Sequence, residues 1–150
     1  MLGVAKQILT KWIEELASKT QFAIVFGSLE PGGVKKFPES GKPVEATEEN
    51  KKNAAAFLVT APVDGAPSVS VDLTAALRSA EKLTSIRKSI IYVGRGIIVD
   101  DTAENVLRKV ATENRLAVKI SVIGIEPPKD AEEFLKKLAA ANGGTYARVQ

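Results

Sequence analysis

Between Ser89 and Val149 the chain alternates short β-branched runs with helix-length amphipathic runs, and this alternation restricts the fold more than any other feature. The runs are Ser89-Ile90-Ile91-Tyr92-Val93-Gly94, residues 101–114, Val118-Lys119-Ile120-Ser121-Val122-Ile123-Gly124-Ile125, residues 130–142, and Gly143-Gly144-Thr145-Tyr146-Ala147-Arg148-Val149. A strand, helix, strand, helix, strand order of this kind predicts a parallel sheet covered by helices. Successive parallel strands are then joined by right-handed crossovers.

The remaining sequence fits one such domain. At 150 residues the chain is long enough to bury roughly 68 to 70% of its unfolded surface in a single core. No apolar run approaches the ~20 residues that span a bilayer. No charged leader with an apolar stretch and cleavage site opens the chain, so as written it reads as soluble and cytoplasmic. Cys and His are both absent, which removes disulfides, thiol catalysis, the usual zinc sites and His-based acid/base work. Residues 1–75 hold 8 basic and 9 acidic groups and residues 76–150 hold 13 and 9, so the net charge of +3 sits in the second half. No basic run is interleaved with aromatics, so neither specific nucleic-acid binding nor a membrane is expected, and the charges read as solvated helix faces.

Upstream, Ala5, Ile8, Leu9, Trp12, Ile13 and Leu16 recur at helical spacing and predict an opening amphipathic helix with Trp12 packed inward. Residues 21–27 form a continuous apolar run closed by Gly27, as in a buried strand. The loop 29–46 has room for a short edge strand at residues 34–37, and Thr47 is placed to cap a helix running to about Val59. After the breaker-rich stretch 61–68, Val69-Ser70-Val71 reads as extended and Asp72 as the N-cap of a helix reaching about Ile86. Asp101 with Glu104, and Asp130 with Glu133, have capping-box spacing, which assigns these carboxylates to helix starts rather than to acid/base chemistry.

Three segments resemble the von Willebrand factor A domain family closely in order and spacing. They are Val4-Ala5-Lys6-Gln7-Ile8-Leu9 with Trp12, Ile13 and Leu16; Phe22 to Ser28; and Asp72-Leu73 with Ala75-Ala76-Leu77-Arg78 and Ala80. The pattern from Ser89 to the Gly-Gly-x-Tyr near the C-terminus extends the likeness over nearly the whole chain. The resemblance implies a single domain over residues 1–150 and a three-layer, doubly wound, mostly parallel α/β sheet. It also implies partner binding rather than catalysis.

The family's metal-ion-dependent adhesion site takes oxygen ligands from an Asp-x-Ser-x-Ser motif after the first strand, a Thr before the third helix and an Asp after the fourth strand. Here the resemblance places Met1 about where the first motif ends, Val71 at the Thr and Arg95 at the Asp. It therefore implies an N-terminally truncated domain with a degenerate site, no metal and no cofactor. The family's central first strand is missing, which leaves the strands at 21–27 and 89–94 with facing edges. Those edges are expected to close on each other, to take a strand from another molecule through self-association, or to await a segment encoded upstream. Ser68, Ser70 and Asp72 alternate, so on an extended segment their oxygens would share a face.

The leading expectation is a metal-independent protein-interaction module using loops 27–30, 67–71 and 94–99. Its partner-binding residues would be Ser28, Ser68, Ser70, Asp72 and Arg95. Arg95 would meet an acidic side chain of the partner through a bidentate pair; alternatively it pairs with Asp100 or Asp101. A second expectation is a phosphate- or nucleotide-binding protein using Gly94-Arg95-Gly96, although the loop lacks the third Gly of the dinucleotide fingerprint. A third is a fragmentary or decayed gene product without independent activity.

Overall fold

The interaction that shapes the C-terminal half is a run of parallel backbone ladders, seen in a computed structural model that describes residues 2–27, 34–61 and 68–150. Strands β5 (Ser89–Gly94), β6 (Lys119–Ile125) and β7 (Gly143–Val149) form one sheet in the order β5-β6-β7, all parallel. Helices α4 (Ala103–Glu113) and α5 (Lys129–Ala141) make the crossovers. Alternation decides which residues go inward: Ile90, Tyr92, Ile120, Val122 and Tyr146 share the face covered by α4, α5 and α3 (Val69–Glu81). Leu73, Leu135 and Leu138 fill that core with almost no exposure.

The N-terminal half builds a second, smaller core. Helix α1 (Leu2–Glu15) and helix α2 (Glu48–Thr60) pack with β2 (Ile24–Gly27) around Ile13, Ile24, Ala54 and Leu58. Phe37 joins them, its ring 5.9 Å from Phe22 and 6.0 Å from Phe57. The two helices run antiparallel, and each supplies a lysine to the other's C-terminal carbonyls. Lys6 donates to Ala61 at 2.9 Å and Lys51 donates to Glu14 at 2.9 Å. A cation at a helix C-terminus meets the orphan carbonyls and the negative end of the dipole. Thr47 caps α2 by accepting from the Asn50 N–H, as its position predicts.

The apolar run at 21–27 is interrupted at Ala23. Its first two residues, β1 (Gln21–Phe22), pair antiparallel with β4 (Val44–Glu45), and β2 pairs antiparallel with the edge strand β3 (Val34–Phe37). Strands β2 and β5 do not pair, so direct closure, one of the three outcomes left open for the two central edges, does not occur. Helix α3 lies across the gap, touching both β2 and β5.

Two local expectations are corrected. Residues 69–71 are helical, and α3 is capped by Ser68 rather than by Asp72; it ends at Glu81, leaving Ile86 almost wholly exposed. The reason is packing: Val69, Leu73, Leu77 and Ala80 recur at helical spacing on the buried face, which outweighs the β propensity of a Val-Ser-Val run. Similarly, Thr102 rather than Asp101 caps α4, and Pro128 precedes α5 without a side-chain cap.

One polar linkage fixes the base of the parallel sheet. The Asn114 side chain accepts from the Val118 N–H at 2.7 Å and donates to the Val118 carbonyl at 2.8 Å and to Asn142 Oδ1 at 3.0 Å. Asn142 donates onward to the Leu138 carbonyl at 2.8 Å, so the ends of α4 and α5 and the start of β6 are held together. Asn114→Ala leaves both Val118 backbone groups without these partners, and should cost roughly 2 kcal/mol in urea unfolding. A loss below about 0.5 kcal/mol, the range of ordinary surface changes, would contradict this role.

Candidate functional site

The candidate site lies where β5 runs out, beside the first turn of α3. The Tyr92 side chain leans forward along β5, so that a Cβ built on Gly94 would lie 2.8 Å from its phenol oxygen. Gly96 has φ +68°, and a Cβ there would come within 2.6 Å of Leu135 Cγ. The Gly-x-Gly spacing is thus a packing requirement, which accounts for both glycines without a bound phosphate.

Asp72 sits in the first turn of α3 on the same side as Tyr92, half-buried, with Oδ1 lacking a hydrogen-bond partner among the described residues. Burial raises its pKa from 3.8 to about 7, with the charge of Asp100 adding to the shift. Burial likewise pushes the Tyr92 phenol up to about 12, assisted by the Asp72 charge and opposed by a hydrogen bond with the Gly96 backbone. The cluster therefore holds a carboxyl that titrates near neutrality beside a neutral phenol.

Arg95 turns away from this pair. Its guanidinium donates to the Glu126 carbonyl at 3.4 Å, and its Nε is buried without a partner among the described residues. Glu126 has φ +41°, a strained value for a residue with a side chain, in the loop that follows β6. Asp101 does not pair with Arg95; it binds Lys109 at 2.6 Å and the Thr102 N–H at 2.8 Å, which lower its pKa to about 2.

The expected face of Ser68, Ser70 and Asp72 does not form. Ser68 accepts from the Val71 N–H as a helix cap, while Ser70 is buried. Two residues apart on a helix means about 200° around it, so Ser70 and Asp72 point in nearly opposite directions. Val71 is 45% exposed. Ser28 and the segment 62–67 lie outside the described residues. The structure thus brings Asp72 and Arg95 to one sheet end, adds Tyr92, which the sequence analysis left out of the site, and sets the charge of Asp100, expected only as an alternative partner of Arg95, near Asp72. The signal for Tyr92 was present: a phenol at an inward strand position two residues before a Gly requires a polar neighbour for its hydroxyl.

The residue profile of the von Willebrand factor type A domain matches positions 3–148. The chain belongs to this family. Among solved structures, a von Willebrand factor type A protein from Catenulispora acidiphila superimposes with a TM-score of 0.86 at 21% identity, over 99% of this chain and 34% of its own. The chain therefore spans about a third of that relative's length. BatB from Bacteroides thetaiotaomicron, described as a conserved hypothetical protein, gives 0.65 at 15% identity, covering 99% of this chain and 80% of its own. An aerotolerance-related membrane protein from Bacteroides fragilis, with multiple mutations to serines, gives 0.65 at 14% identity, with 99% and 81% covered. At these identities the likeness is one of fold. No curated protein matches the sequence.

The described residues bring few oxygen donors for a metal ion together at this sheet end. A Mg²⁺ ion requires near-octahedral oxygen ligation. Of the three side chains expected to share a face, the Ser68 hydroxyl is engaged as a cap and Ser70 faces away from Asp72, while Arg95 occupies the position where the family resemblance implies an Asp. Among the described residues no group of three or more Asp, Glu, His or Cys converges on a point. No described helix is long and apolar enough to cross a membrane.

The raised Asp72 pKa carries a signed consequence for stability. Between pH 3.8 and about 7 the unfolded chain releases this proton while the folded one retains it. The contribution is thus fully present below the lower value and is lost as pH rises through the upper one. Asp72→Asn abolishes the titration, so relative to wild type it should gain roughly 2 kcal/mol on going from pH 4 to pH 8, discounted for partial exposure. Urea titrations at the two pH values measure this; an unchanged difference would show that Asp72 titrates normally.

Proposed function

We propose that this von Willebrand factor type A domain is a non-catalytic protein-interaction module that works without a metal ion, through the loops at the C-terminal ends of β5 and β6 and the start of α3. One observation carries the reading. Asp72 Oδ1 and Arg95 Nε are both buried and both lack a hydrogen-bond partner among the described residues, at the same end of the sheet. An unmet acceptor and an unmet donor each cost ~1–3 kcal/mol, a deficit that a partner's polar groups would offset on binding.

Arg95 suits an acidic partner residue. Its guanidinium holds one 3.4 Å bond to a neutral carbonyl, and exchanging that for a bidentate carboxylate pair would gain a charge-assisted interaction. Ser68 and Ser70 contribute to such a surface only through the helix start they build.

Titration with peptides bearing a single Glu or Asp in varied sequence tests the reading, with Arg95→Lys and Arg95→Ala as controls. Both variants should weaken the best peptide at least about tenfold, because Lys cannot reproduce the fork. Equal binding by Arg95→Lys would remove the bidentate role. Calorimetry with Mg²⁺ or Mn²⁺ should give no saturable heat, and micromolar binding at one site would contradict metal independence. Saturable thermal stabilisation by a nucleotide would instead favour a phosphate-binding role for the Gly94-Arg95-Gly96 loop.

A further inference from the structure

Two neighbouring loops enter the parallel sheet at its N-terminal end, and each combines basic residues with an exposed aliphatic side chain. One runs from α3 to β5 over residues 82–88 and carries Lys82, Ile86, Arg87 and Lys88. The other runs from α4 to β6 over residues 114–118 and carries Arg115 and Leu116, with Lys119 opening the strand. Parallel pairing sets them side by side: Ser89 is in register with Lys119, and the Lys119 N–H donates to the Lys88 carbonyl at 3.3 Å. Ile86 and Leu116 stand at equivalent places, each three residues before a member of that pair.

Ile86 is 98% exposed and Leu116 54%. Burial would stabilise both, yet hydrogen bonds hold each loop in a form that presents its aliphatic residue to water. Thr84 donates through its N–H and its hydroxyl to Gln21 Oε1 of β1, at 3.0 and 2.9 Å, and the Arg87 N–H donates to the Ser85 hydroxyl at 3.1 Å. In the second loop Asn114 bonds both backbone groups of Val118, and Ala117 takes φ +49°.

The charge beside these residues has one sign. Residues 82–89 and 114–119 contain five cations, Lys82, Arg87, Lys88, Arg115 and Lys119, and no acid; the flanking helix ends add Glu81 and Glu113. Lys88 donates to the Glu81 carbonyl at 3.3 Å and so serves the C-terminal end of α3. The side chains of Lys82, Arg87, Arg115 and Lys119 form no ion pair among the described residues. The linear sequence gives no expectation of a membrane because these cations come from two separate loops, which only the pairing of β5 with β6 brings together.

We propose that this end of the sheet is a peripheral docking surface for an anionic lipid bilayer, with Ile86 and Leu116 entering the acyl boundary and Arg87, Arg115 and Lys119 meeting the headgroups. Aliphatic residues flanked by long cationic side chains suit an interface whose polarity changes over roughly 5–10 Å. A nucleic acid would use the cations but not the aliphatic residues, and neither loop has an aromatic side chain on which a base could stack. A folded acidic partner is matched by a continuous apolar centre with charges at its rim, whereas cations and aliphatics are adjacent along both loops here. The surface lies at the opposite end of the parallel strands from Arg95, so it goes beyond the proposed recognition site and either stands if the other fails.

Flotation of the full chain with vesicles tests the proposal, using phosphatidylcholine alone and phosphatidylcholine mixed with phosphatidylserine. The chain should float with the mixed vesicles at ~0.1 M salt, and at least about tenfold less with phosphatidylcholine alone or at ~0.5 M salt. Arg87→Gln or Lys119→Gln should each weaken binding roughly fivefold. Ile86→Ser combined with Leu116→Ser should weaken it by about tenfold or more, while thermal unfolding stays unchanged because both side chains are already in water. Failure to float with the mixed vesicles would overturn the proposal. Flotation that the paired Ser substitutions leave unaltered would also overturn it, since charge alone would then account for the binding. Binding of polyglutamate or single-stranded DNA by a chain that leaves the vesicles unbound would overturn it in favour of an acidic polypeptide or a nucleic acid.

Discussion

Helix α3 and the backbone edges beneath it carry the structure. A parallel sheet normally joins its strands by an unbroken ladder, and here the ladder stops at β5 on one side and at β2 on the other. What spans the break is side-chain packing. Val69, Leu73, Leu77 and Ala80 anchor α3 in the larger core, and the helix also contacts β2. The hydrophobic interior is consequently two clusters, one built on β5 to β7 and one on α1, α2 and β2. Burial is non-directional and tolerates such a division, whereas hydrogen bonding does not: every second backbone group along the open edges lacks a strand partner.

The same arrangement sets the character of the site. The C-terminal end of β5 lies next to the gap and next to the start of α3, so Asp72 is drawn into a half-buried position beside Tyr92 without a cation to match it. Desolvation, rather than a neighbouring charge, dominates its electrostatics. Arg95 lies on the loop that follows β5, yet its guanidinium is directed to the Glu126 carbonyl across the loops. A carboxyl that protonates near neutrality and a guanidinium with an unused donor are the two observations on which the proposed partner recognition rests.

Much of this fold is legible in the sequence because parallel strands buried on one or both faces leave β-branched runs, and the runs at 89–94 and 118–125 match β5 and β6 to within a residue. The helix at 48–60 is announced by Thr47, and the edge strand at 34–37 by its place in a breaker-rich loop. The start of α3 is misread because Val69-Ser70-Val71 has strand propensity when considered locally. Only the tertiary contacts of Val69 and Leu73 reveal that the helix begins earlier. That one shift removes the shared face of Ser68, Ser70 and Asp72, since a period of two becomes a period of 3.6. The pairing of Asp72 with Tyr92 and Asp100, and the bond between Asn114 and Asn142 across 28 positions, depend on proximity that no local pattern encodes.

Amide hydrogen exchange on the dilute, isolated chain measures the open edge directly. The Lys119 N–H donates to the Lys88 carbonyl, so even-numbered residues of β5 turn their backbone groups to β6 and odd-numbered ones turn theirs away, and the strand contains its own control. The account predicts that the Ile90 and Tyr92 amides, bonded toward β6, exchange at least about tenfold more slowly than those of Ile91 and Val93, which face the gap. Equal, slow exchange at all four amides in a monomer would show that the β5 edge is already paired, and would contradict the division of the sheet on which this account rests.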